Sequence, residues 1–150
     1  MRELKKQLWE MCNNEVTKRI SSIQQAMQNA QAAANDETKS SAGDKYETGR
    51  AMMHLEKEKL STQLSEALKM KKALDQINPD RAEAEVKLGS VVITPVAQYF
   101  LSVSVGQIKW EGKTWFAISP ASPIGQQMLG KKAGETFSFG GRNFKINEVF

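Results

Sequence analysis

Ser41-Ala42-Gly43-Asp44-Lys45-Tyr46-Glu47 is the stretch whose reading decides the fold. It closes a run of turn formers and small polar residues that begins at Asn35. On either side lies a long, proline-free segment with helical periodicity. Upstream, apolar residues recur at Leu4, Leu8, Met11, Val16, Ile20, Ile23, Met27, Ala30 and Ala34, mostly three or four apart. Downstream, Met53, Leu60, Leu64, Ala67 and Leu74 form a second seam, interrupted by Lys57 and Lys71, whose stems can cover apolar surface. Asn78-Pro79 ends the second segment. Facing residues in an antiparallel pair have a constant number sum. Ile23 with Leu60, Val16 with Ala67, Ala30 with Met53 and Trp9 with Leu74 share one, with its midpoint between Ser41 and Ala42. Residues 1–78 therefore read as an antiparallel coiled-coil hairpin with its tip near 40–47. Arms of about 35 residues would run about 50 Å at ~1.5 Å per residue, longer than a small core needs.

Asp44 and Glu47 stand three apart at the tip. On a helix, that spacing puts both carboxylates on one side of the first turn. There they have two competing uses. An acid at the N-cap with Glu three residues on is a capping-box pattern, favoured by the helix dipole; Ser41 is an alternative cap. Two projecting carboxylates are also a partial ligand set for Mg²⁺, which takes one or two protein carboxylates and completes its shell elsewhere.

Residues 79–85 are polar and read as a linker. Residues 86–150 read as a β-rich domain with strands at 90–94, 97–105, 107–110, 114–118, 136–139 and 144–149. Glu111-Gly112-Lys113 and Gly140-Gly141-Arg142-Asn143 supply turns. Ser122-Pro123-Ile124-Gly125 opens a short helix that Gly130 stops, with Ser122 as N-cap and Pro123 first in the helix. Ile124, Met128 and Leu129 should face the sheet. The fold class is thus α+β.

The charge is +4, with an excess of two cations in each half, so neither half is a strong phosphate-binding stripe. Aromatic residues interleave with Lys109, Lys113, Arg142 and Lys145, but a domain this small needs them for its core. One cysteine, Cys12, excludes an internal disulfide and reads as packing. Ser119 and Ser122 have no histidine nearby to activate them. No apolar run reaches the ~20 residues of a membrane span, and the N-terminus lacks a signal-peptide core, so a cytoplasmic protein is expected.

Three stretches together resemble the bacterial GreA/GreB family of transcript-cleavage factors. They are Gly43-Asp44-Lys45-Tyr46-Glu47, Val86-Lys87-Leu88-Gly89-Ser90, and the run from Ser119-Pro120-Ala121-Ser122-Pro123-Ile124-Gly125 through Met128-Leu129-Gly130 to Glu135. Length and layout agree. The resemblance implies an FKBP-like C-terminal domain that docks on RNA polymerase, here through Ser122, Pro123, Ile124 and Gly125. It implies a coiled coil that enters the polymerase's secondary channel and meets the RNA 3′ end. Asp44 and Glu47 would direct a Mg²⁺ shared with the polymerase, which cuts backtracked RNA itself, so the factor is not an enzyme and holds no tightly bound cofactor. It is expected to be monomeric. The sequence departs from the family at Thr48, commonly Asn, at Gln127, commonly small, and at Lys45 between the acids. A non-cleaving regulator of the same channel is the nearest alternative. An FKBP-like prolyl isomerase and a self-associating coiled-coil adaptor come from other classes.

Overall fold

A computed structural model describes residues 2–40 and 44–150, the side chains at 37–40 and 44–46 excepted. The architecture is α+β: two long helices packed together, then a β-rich region with one short helix. Helix α1 spans Arg2–Ser40 and α2 spans Asp44–Asp75. At ~1.5 Å per residue they measure about 58 and 48 Å. The number-sum register is met at Trp9 with Leu74, and the bond from Lys71 Nζ to Asn13 Oδ1 at 2.7 Å lies within one residue of it. Trp9 Nε1 donates to the carbonyl of Leu74 at 2.9 Å, and Val16 and Ala67 are both buried. The pattern of turn formers did not stop α1 at residue 35, and the helix runs on to Ser40. Asn, Asp, Thr and Ser each cost a helix only ~0.5–0.7 kcal/mol, and Gln31 Nε2 bonds Asn35 Oδ1 one turn ahead at 3.1 Å. Helix α2 stops three residues before Asn78, and tighter bonds from Gln76 and Ile77 back to Ala73 and Leu74 carry the chain out of it.

The chain divides into two compact units, Met1–Glu15 with Lys71–Phe150, and Val16–Met70. In the first, strands β1 (Val91–Ile93), β2 (Gln98–Leu101), β3 (Gly106–Trp110), β4 (Lys113–Ile118) and β7 (Glu148–Val149) form a sheet in the order β3-β4-β2-β1-β7. All neighbours are antiparallel except β2 and β4. Strands β5 (Thr136–Phe139) and β6 (Arg142–Lys145) form a separate ribbon. The expected strand over 144–149 is therefore two strands in two sheets, with Ile146 buried between them. Both hairpin turns have consecutive positive φ values, at Glu111 and Gly112 (48° and 75°) and at Gly140 and Gly141 (61° and 77°), the twist that closes two-residue hairpins.

Alternation sorts the sheet's side chains into two buried layers. Val92, Leu101, Tyr99, Ile118 and Val149 pack with Val86, Met128, Phe137 and Ile146, beneath helix α3 (Pro123–Met128) and the ribbon. The opposite face carries Val91, Phe100, Trp115 and Ala117, all buried. The same unit buries Leu8, Cys12 and Leu74 from the helices and Ile77 just beyond α2. Cys12 Sγ and Ser102 Oγ share a hydrogen bond at 3.7 Å. Burial pushes the Cys12 thiol up to about 11, a packed and inert cysteine. Lys5 is buried too; its Nζ donates to the carbonyl of Arg81 at 2.5 Å, and desolvation lowers its pKa against the opposing pull of Glu83. Glu83 in turn pairs with Arg81 at 3.2 Å and Lys87 at 2.7 Å, and Glu85 bridges to Lys132, so residues 81–85 are fastened by specific bonds.

Candidate functional site

Asp44 and Glu47 both fall in the first turn of α2. Residues 41–43 and the side chain of Asp44 lie outside the described residues, so the choice between Ser41 and Asp44 as cap lies there too. Glu47 is described and exposed. Among the described residues no cation is paired with it. Its oxygens are hard, charged and open to solvent, which fits the donor type that Mg²⁺ takes. Thr48 is exposed beside it.

The second site stretch, Ser119–Gly125, folds into a tight knot of hydrogen bonds. Ser122 adopts extended backbone angles, and its Oγ accepts from Gly125 N at 3.1 Å, the N-cap geometry expected from sequence. Its hydroxyl donates to the carbonyl of Ser119 at 2.6 Å, and its amide reaches Ser119 Oγ at 3.1 Å. Gly125 is buried in this knot. A Cβ there would lie 2.3 Å from the Ser119 carbonyl oxygen and 2.8 Å from Ser122 Oγ. The glycine is thus required by close packing of the turn against the first helical turn. Pro123 is exposed and Ile124 is half-buried against the core. Met128 is buried as expected, but Leu129 is not: it ends α3 with extended angles (φ −51°, ψ 132°), which turn its side chain away from the core, and 42% of it is exposed. Phe139, at the end of β5, is exposed to a similar degree. Ser122 and Gly125 therefore build the turn, while Pro123 is the member of the expected docking set presented to solvent.

A feature the sequence reading passed over lies between the helices of the second unit. A groove of about 540 Å³ opens between Met27, Gln28 and Gln31 on α1 and Arg50, His54 and Lys57 on α2. The signal was present as Arg50, His54 and Lys57 at i, i+4 and i+7 on α2, hidden because the net charge of that half is small.

The chain matches no protein-family model, and no curated protein matches it. Among the described residues no helix is long and apolar enough to cross a membrane.

Proposed function

We propose that this protein is a secondary-channel factor of bacterial RNA polymerase, which presents Asp44 and Glu47 to the polymerase active centre and stimulates Mg²⁺-dependent cleavage of backtracked RNA. The observation that carries the reading is Glu47, an exposed carboxylate on the first turn of a 32-residue helix paired with one of 39. That pair is far longer than its own packing requires, because the unit from Val16 to Met70 buries only Val16, Leu60 and Ala67 among its described residues. Delivering an acidic pair at a distance is a use for such length. The three stretches that resemble transcript-cleavage factors support the same partner.

Asp44 and Glu47 would hold the shared ion together with ligands from the polymerase. A bound Mg²⁺ would supply Lewis acidity and a more acidic water at the scissile phosphate. The chain's own contribution would be to carry Asp44 and Glu47 on the first turn of α2, with Glu47 exposed for that use. Ser119–Gly125 would serve as the docking turn, rigid through the Ser122 bonds, with Pro123 as its exposed surface.

The test is RNA shortening in stalled, backtracked polymerase complexes with and without Mg²⁺. Wild-type protein is expected to shorten the RNA, and Asp44→Ala with Glu47→Ala to lose that activity while still binding polymerase. Binding without any shortening by the wild type would replace this reading with a non-cleaving regulator of the same channel. Absence of polymerase binding would end both.

A further inference from the structure

The groove of the second unit has the composition of a ligand site rather than of a helix seam. Its volume, about 540 Å³, falls within the ~300–1,000 Å³ typical of small-molecule sites. Helix seams are normally filled by large apolar residues meeting from both sides. Here α1 contributes Ala30 and Ala34 where bulk would be needed, and the space stays open. One wall, on α2, carries Arg50, His54 and Lys57 in successive turns. From Arg50 to Lys57 they span about 10 Å along the helix at ~1.5 Å per residue. Among the described residues no carboxylate lines the groove. On the wall itself, Glu58 Oε1 is 3.9 Å from His54 Nε2, with both side chains largely in solvent. Such a pair is weak and screened. The floor is apolar and deformable, built from Met27 and Met53, whose thioethers make favourable contacts with aromatic rings. The facing wall offers the amides of Gln28 and Gln31, each both donor and acceptor, Gln31 Nε2 having one N–H already given to Asn35 Oδ1.

Two fixed cations flanking an imidazole, a soft apolar floor and two amides are complementary to one molecule with three parts. We propose that this groove binds a free nucleoside di- or triphosphate. The phosphates lie along Arg50, His54 and Lys57, the base rests on Met27 and Met53, and Gln28 and Gln31 bond its edge. Arg50 makes the bidentate phosphate contact that lysine cannot, and Lys57 acts as a point charge. The site stands independently of the polymerase reading and does not use the tip acids.

The test is equilibrium dialysis of the full chain against ATP and GTP in magnesium-free buffer, so that the tip carboxylates cannot recruit nucleotide through a metal. Adenosine, inorganic tripolyphosphate and a short single-stranded RNA form the other arms. At least one nucleotide is expected to bind with a Kd below about 1 mM, more tightly than adenosine or tripolyphosphate. Arg50→Ala with Lys57→Ala should weaken it by about tenfold or more, with helicity retained by circular dichroism. Met53→Ala should weaken nucleotide but not tripolyphosphate. No nucleotide binding at 1 mM, or equal binding of tripolyphosphate, overturns the proposal. So does RNA binding that ATP and GTP fail to displace, since it would assign the cations to a polymer backbone.

Discussion

Phe100 and Met53 occupy equivalent roles in the two units, each a large apolar side chain on the packed side of its element, yet their surroundings differ. Phe100 is fully buried in a sheet whose two faces are both covered. Met53 is half-exposed beside an open groove. The contrast runs through both units. The first buries complete side chains from the helix ends, the sheet, α3 and the ribbon. In the second, no described residue between Leu60 and the tip is fully buried on α2, and its seam there consists of alanine and methionine. Stability is thus concentrated in one unit, and the other is free to be polar, long and adaptable. A seam of Met and Ala can repack around a partner or ligand at small cost.

The sharpest way to break this contrast is to truncate both side chains. Phe100→Ala should destabilise the chain by roughly 3–5 kcal/mol, the usual cost of emptying a filled aromatic site. Met53→Ala should cost less than about 1 kcal/mol, because neighbouring solvent already fills part of the space. Urea unfolding monitored by circular dichroism measures both. Equal losses would mean that the hairpin is as tightly held as the sheet.

A smaller effect tests the junction of helix and sheet inside the first unit. The Cys12 thiol stays neutral up to about 11 when folded, against an ordinary value of 9 when unfolded, because burial penalises the thiolate. Above pH 9 the unfolded chain therefore holds fewer protons than the folded one, and stability must fall as pH rises from about 9 to about 11. Its size is about 1–3 kcal/mol. Lys5, with its pKa lowered by burial, contributes the opposite slope toward its ordinary value of 10.5. Comparing wild type with Cys12→Ala across pH 8–11 isolates the thiol. Identical pH slopes would show that Cys12 is not sealed from water.

These contrasts explain what was legible in the sequence. Helical spacing and turn chemistry are local, so the helix pair, its register through Trp9 and Leu74, the Ser122 cap and the two glycine-rich hairpins could all be read directly. What failed depended on tertiary packing. Nothing local separates 142–145 from 148–149; the division arises because Ile146 is drawn into the core and the chain changes sheets around it. Leu129 matched the apolar spacing of α3, but the helix ended at Met128 and the backbone turned it outward. The tip acids were legible as residues, whereas the groove was not, because openness between two helices comes from residues that are too small on α1, not from any motif on α2.

The smallest stability effects separate the two stretches to which the proposed function gives its docking and tip roles. Ser122→Ala removes a half-buried hydroxyl that caps α3 and bonds the Ser119 carbonyl, and should cost about 1 kcal/mol. Glu47→Ala removes an exposed carboxylate whose contribution is limited to the helix dipole, and should cost less than about 0.5 kcal/mol. If the docking turn and the tip divide the work as proposed, the functional order is different in kind. Ser122→Ala should weaken polymerase binding and leave cleavage intact at saturating protein, while Glu47→Ala should abolish cleavage and leave binding unchanged. A Glu47→Ala protein that is markedly less stable would instead assign this residue to the cap of α2, and the tip would then have one acid left to offer a metal.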